Sequence, residues 1–150
     1  MAAQNPRSKR QSAANSGSPP LSPPLVFFID RSLGKKVIAE KLRQSGAQVE
    51  IHDDYFLQDA QDEDWISEVG KRGWVVLTKD DRIRYRPTAL EAYRRHKVRV
   101  FVFGSGEMKA EEMADAFVNA LPKISRFALK KTAPFFARIS RSGSVSPLKS

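Results

Sequence analysis

No cysteine occurs in the 150 residues, so the chain has no disulfide framework and no thiolate metal ligand. Histidine is nearly as scarce. Only His52 and His96 are present, which excludes a histidine-rich zinc site and confines any Ser-His-Asp triad to one of these two. No apolar run approaches the roughly 18 residues that a membrane span needs. The first residues are basic, but no apolar stretch follows them, so they do not read as a secretory signal. A cytoplasmic location and no membrane partner are therefore expected. A length of 150 residues fits one domain.

What is abundant is positive charge. The formal net charge is +9. Residues 1–24 carry +3 with no acid and residues 141–150 carry +2, which leaves +4 for the middle. A basic chain suits a polyanion such as nucleic acid. It equally suits an ordinary soluble basic surface.

Residues 1–24 are rich in Ser, Pro and Ala and end in Ser-Pro-Pro-Leu-Ser-Pro-Pro. They have too little apolar surface to offset chain entropy and read as a disordered basic tail. Residues 141–150 read as a second flexible basic tail. Between them, apolar runs at 25–29, 48–52, 74–78 and 98–103 read as strands, with a shorter one at 135–139. Helical spacing appears at 34–45 (Val37, Ile38, Leu42), from Asp62 (Trp65, Ile66, Val69), from Pro87 to about His96, and from Lys109 (Met113, Phe117, Leu121). Pro122 is expected to bend or end the last helix, which resumes towards Leu129. Strands alternating with helices predict an α/β fold: a three-layer α/β/α domain over 25–140, with a mainly parallel four- to five-stranded sheet and right-handed crossovers.

In such a sheet the carboxyl ends of the strands share one edge, where ligands bind. Asp30 follows the first strand, and Asp80 and Asp81 follow the third. Asp62 opens the helix after the second strand, and a right-handed crossover starts that helix at the same edge. Three or four carboxylates without His or Cys select a hard cation, Mg²⁺ or Mn²⁺, of the kind that assists phosphodiester hydrolysis. Lys79, Arg82, Arg84 and Arg86 stand ready to hold a phosphate backbone. Each residue also has a plainer use. Asp62 suits a helix N-cap, Asp30 a cap or turn, and Asp80-Asp81 a polar turn. Asp53 and Asp54 follow the second strand and rank below the others, and His52 reads as a polar residue at a strand end.

Phe27-Phe28-Ile29-Asp30, then Asp62-Glu63-Asp64-Trp65-Ile66, then Gly73-Trp74-Val75-Val76-Leu77-Thr78-Lys79-Asp80 is an order that resembles the PIN-like domains. It is most similar to toxins of the VapC type and the related short PIN-like proteins with a Thr-x-Asp signature. Pro134-Phe135-Phe136-Ala137-Arg138 resembles the end of that group. The resemblance spans residues 25–140. It implies a Mg²⁺-dependent endoribonuclease, held inactive by a cognate antitoxin and often homodimeric. By position, Asp30, Asp62 and Asp80 match the family's metal-binding acids, with Asp81 as a neighbouring helper. The family often has a further acid two residues beyond Asp80, and here that residue is Arg82. This departure puts a second metal in question.

Two readings follow. In the first, Asp30, Asp62, Asp80 and Asp81 form the catalytic centre of a ribonuclease, the toxin of a toxin–antitoxin pair. In the second, a catalytically weak or inactive PIN-like module binds RNA or a protein through its basic face. A phospho-acceptor receiver domain is disfavoured, because Asp30 is followed by Arg31 and not by a second acid. A haloacid-dehalogenase-type phosphatase needs a second acid where Ser32 stands.

Overall fold

The computed structural model describes residues 25–104 and 107–148, less the side chains of Ile83 and Arg84. The tail expected over 1–24 lies outside the described residues. The regular elements are β1 (Val26–Ile29), α1 (Val37–Gln44), β2 (Gln48–Ile51), α2 (Asp62–Arg72), β3 (Val75–Thr78), α3 (Pro87–Arg95), β4 (Arg99–Phe103), α4 (Ala110–Lys130), β5 (Phe135–Ile139) and β6 (Val145–Leu148). Short 3-10 turns occupy Arg31–Leu33, His52–Asp54 and Asp81–Tyr85.

The sheet order is β2-β1-β3-β4-β5-β6, parallel throughout except for antiparallel β6. Alternation along each strand sends side chains to two faces. Phe27, Ile29, Val75, Leu77, Phe101 and Phe103 face α1 and α4. Phe28, Val76, Val100 and Val102 face α2 and α3. The strands are thus covered on both sides, which is why they read as continuous apolar runs. The outcome is the expected three-layer α/β/α fold with a mainly parallel sheet. Among the described residues, no helix is long and apolar enough to cross a membrane.

Three details differ from the expectations. The first helix starts at Val37 and not at 34, because Arg31–Leu33 forms a 3-10 turn that Gly34 ends at φ 77°. In α4, Pro122 interrupts nothing: the helix runs 21 residues through it. Proline costs about 3 kcal/mol inside a helix. Here Pro122 lies on the exposed face, where water can reach the carbonyl that loses its donor. Beyond it Ile124 and Ala128 are buried, and the Phe127 ring packs edge-on to Phe101 and Phe135. Fully burying an isoleucine such as Ile124 returns about 1.5–3 kcal/mol, and Ala128 and the half-buried Phe127 add to this. Finally, 145–148 is a strand and not part of a flexible tail. Val145 pairs with Ile139 and Leu148 with Phe136. Pro147 is tolerated because β6 is an edge strand and its missing N–H removes no obligatory bond.

The chain leaves β1 for β2 in one direction and passes to β3 and β4 in the other. The carboxyl ends of β1 and β3 therefore lie side by side where the winding reverses. Ligands enter open α/β sheets in the crevice at that place.

Candidate active site

Asp30 leaves β1 and stays tied to β3, its N–H donating to the Leu77 carbonyl at 3.1 Å. Its Oδ2 accepts the Thr78 hydroxyl at 2.7 Å and the Ser32 hydroxyl at 2.8 Å. The Ser32 N–H reaches the same oxygen at 3.3 Å. Each hydroxyl has one proton. With both protons given to Asp30, the lone pairs accept backbone N–H groups: Lys79 donates to Ser32 Oγ at 3.1 Å and Asp80 to Thr78 Oγ1 at 3.0 Å. Thr78 is fully buried. The threonine before Asp80 is thus the knot that joins the two strand ends. Ser32 belongs to the same knot.

Asp62 is the first residue of α2. The N-cap is Gln61, which makes no side-chain cap bond, so the plainer reading of Asp62 as the cap does not hold. Its Oδ1 accepts the Trp65 indole N–H at 3.2 Å, and its Oδ2 faces Arg86 Nε at 3.5 Å. Asp80 is mostly buried, with 18% of its side chain exposed. Its Oδ1 accepts the Arg82 N–H at 3.0 Å, an Asx-type turn. Its Oδ2 accepts from Arg86 Nη2 at 3.3 Å.

Asp30, Asp62 and Asp80 therefore line one cleft of about 370 Å³, together with Ser32, Arg31, His52, Trp65 and Arg86. Lys79, Asp81 and Arg82 are not among the described residues that line it. Lys79 is exposed, Asp81 opens the turn Asp81–Tyr85, and the Arg82 side chain is 86% exposed. The Arg84 side chain lies outside the described residues. Of Lys79, Arg82 and Arg86, Arg86 is the one placed in the cleft.

Two residues that sequence reasoning had not assigned to the site belong to its surroundings. His52 is buried and forms part of the cleft wall. Its ring lies among Phe28, Phe56 and Trp65, with Nδ1 3.5 Å from Asp53 Oδ1. The available signal was its place directly after β2, at the ligand-binding edge. Tyr93 on α3 is fully buried, and its hydroxyl has no hydrogen-bond partner among the described residues. Burial holds its phenol well above the ordinary range; the Asp30 and Asp62 carboxylates add to this, Asp80 less so, and Arg86 opposes them.

The donor set of three carboxylates suits a hard divalent cation in kind. The arrangement does not fit one as it stands. Among the described residues, no group of three His, Cys, Asp or Glu side chains is placed to hold a metal ion. The guanidinium of Arg86 stands where Asp62 and Asp80 would converge.

Comparison with known proteins agrees with this architecture. A family model described as "PIN like domain" matches residues 25–105, just over half of the chain, from β1 past the end of β4. A Mycobacterium tuberculosis H37Rv protein named "Putative ribonuclease VapC45" is 26% identical over 126 residues, covering 81% of this chain and 91% of that protein. No solved structure matches the chain. A match over that span, beginning at the strand that delivers Asp30 and running beyond Asp80, shows that the chain belongs to the PIN-like domain family.

Proposed function

We propose that the protein is an endoribonuclease that hydrolyses RNA phosphodiesters with Mg²⁺ or Mn²⁺ recruited to Asp30, Asp62 and Asp80. The observation that carries this reading is the convergence of three carboxylates, from three separate stretches of chain, on one cleft where β1 and β3 end. The name of the mycobacterial relative, "Putative ribonuclease VapC45", supports the same class. With the resemblance of the motifs to VapC-type toxins, it leads us to read the chain as the toxin half of a toxin–antitoxin pair acting in the cytoplasm. Its protein partner would then be a cognate antitoxin, with a homodimer as the expected assembly. A divalent cation in such a cleft supplies charge neutralisation and a more acidic bound water. Arg86 and Arg31 line the same cleft and are the residues nearest to hand for substrate phosphates. Lys79 and Arg82 lie further along the same edge.

The test is cleavage of a labelled RNA pool by wild type, Asp30→Asn and Asp80→Asn, with Mg²⁺ or Mn²⁺ and with chelator. Loss of cleavage by at least about 100-fold in each variant, with an unchanged circular dichroism spectrum, is expected for a group acting directly on the reaction. An Asp80→Asn protein that cuts as fast as wild type would end this reading.

A second reading is favoured by one observation: Arg86 occupies the space between Asp62 and Asp80. A site closed in that way suits a weak or inactive module that binds RNA through its basic edge. It predicts, in the same assay, no cleavage by wild type. RNA binding would be indifferent to chelator and would weaken steeply with salt.

A further inference from the structure

We infer that the pocket beside the cleft, between the turn after β1 and the end of β2, is a ribonucleotide subsite: Arg31 and Lys35 take a phosphate, and the Asp53 carboxylate accepts the neighbouring ribose 2′-hydroxyl. This rests on RNA as the ligand of this edge, which the ribonuclease reading and its alternative share, and no metal enters it. Three features carry it.

The first is place. A cavity of about 240 Å³ is walled by Arg31, Lys35, His52 and Asp53, and it shares Arg31 and His52 with the cleft. The second is charge. The cleft is lined by two arginines and three acids, a formal charge of 2 − 3 = −1. Ion pairs at 3.3–3.5 Å already engage Arg86 with Asp62 and Asp80, and Arg82 with Asp80. The side pocket has two cations and one acid, 2 − 1 = +1. There Arg31 Nε and Lys35 Nζ each stand 3.9 Å from Asp53. A polyanion therefore finds its anchor in the side pocket and not in the cleft. The Lys35 side chain is 70% exposed, and Arg31 is steadied by a bond from Nη1 to the Gln58 carbonyl at 2.6 Å. The third is unused bonding capacity. Asp53 Oδ1 and His52 Nδ1 stand 3.5 Å apart, and both are buried without a hydrogen-bond partner among the described residues. His52 is wedged among Phe28, Phe56 and Trp65, so this wall stays put. The Asp53 side chain is 25% exposed, so a ligand can reach its carboxylate.

The chemistry of the pocket names its ligand. A carboxylate beside two phosphate-binding cations repels the phosphate and weakens the anchor, unless it accepts a hydrogen bond from the same nucleotide. Next to every phosphate of RNA stands a 2′-hydroxyl, a donor that DNA lacks. It is present whatever the base, whereas the donors on base edges change along the sequence. Arg31 and Lys35 thus set the affinity for the strand, and Asp53 tells RNA from DNA.

Fluorescence anisotropy tests the subsite with a labelled octanucleotide of A, C and G, made once as RNA and once as DNA, in chelator so that neither strand is cut. The proteins are full-length wild type, Lys35→Gln, Asp53→Ala and Asp53→Asn. Wild type should bind RNA at least about fivefold more tightly than DNA. Lys35→Gln should weaken both strands equally and keep the preference. It should also lower the slope of log K against log salt by about 0.7, the share of one phosphate of a single strand. Asp53→Ala should bring the ratio of RNA to DNA affinity to about one, while DNA binding holds or tightens because a negative charge has gone. Asp53→Asn keeps the shape and a weaker acceptor and should retain only about a twofold preference, which decides the matter if Asp53→Ala loses both strands. No preference in wild type, an unchanged ratio in the Asp53 variants, or a Lys35→Gln protein that binds both strands like wild type overturns the inference and leaves the ribonuclease reading standing. If wild type binds neither strand, RNA as the ligand of this edge falls and takes the inference with it.

Discussion

Thr78 places a hydroxyl where no water reaches, and every use of that hydroxyl is internal. It donates to Asp30 and accepts the N–H of Asp80. Thr78→Val keeps the shape and removes both bonds, leaving a buried N–H and a carboxylate each short of a partner. The expected cost is about 2 kcal/mol, measured from the urea midpoint, whereas Thr78→Ser should cost less than about 1 kcal/mol because it keeps the hydroxyl. A Thr78→Val protein as stable as wild type would show that the knot does not matter. The placement of Asp30, Asp62 and Asp80 was legible in the sequence, because the handedness of a βαβ unit decides the edge at which each arrives. The inward turn of Arg86 was not. Arg82 and Arg86 look alike as residues, and which of the two points into the cleft is decided by the path of the turn Asp81–Tyr85. His52 was likewise hidden, since its burial depends on three aromatic rings from separate elements.

Helices α2 and α3 touch closely at Gly70. A Cβ there would stand 2.5 Å from the His96 Cβ and 2.7 Å from the His96 carbonyl oxygen. Helix propensity alone says that Gly70→Ala should stabilise α2 by about 1 kcal/mol. The neighbour is backbone at the end of α3, which cannot yield as a flexible side chain would, and overpacking costs about 1–3 kcal/mol. The clash should win, and thermal unfolding should show a lower midpoint. A raised midpoint would mean that the helices separate freely. The strands β1 to β4 could be read from the sequence because burial on both faces writes them as apolar runs. Strand β6 could not. Ser146 and Pro147 lie on an edge, and the half-buried Val145 and Leu148 make only two marks. Pro122 misled for the opposite reason: its local penalty is real, but the packing of residues beyond it is invisible in a local window.

At the scale of the whole molecule, the layer of α2 and α3 joins stability to the chemistry of the edge. Tyr93 sits in that layer with its phenol held well above the ordinary range. A raised folded-state value means that the folded protein keeps a proton which the unfolded chain gives up near pH 10. The stabilisation is complete below about pH 10 and is lost as pH rises further. Tyr55 acts in the same direction: partial burial and its hydrogen bond to Glu50 push it up to about 12. Urea midpoints taken from pH 8 to 12 should therefore fall above about pH 10. In Tyr93→Phe the fall should be shallower, since only the Tyr55 share remains, and identical slopes would remove Tyr93 from the account. The same layer holds both tryptophans of the chain. Trp74 lies under the Arg72 guanidinium, away from the cleft. Trp65 donates its indole N–H to Asp62. An excited indole responds to the charge beside its ring, so the emission of Trp65 is expected to shift with any change of charge at Asp62. The chain thus carries a natural fluorophore hydrogen-bonded to an acid of the cleft.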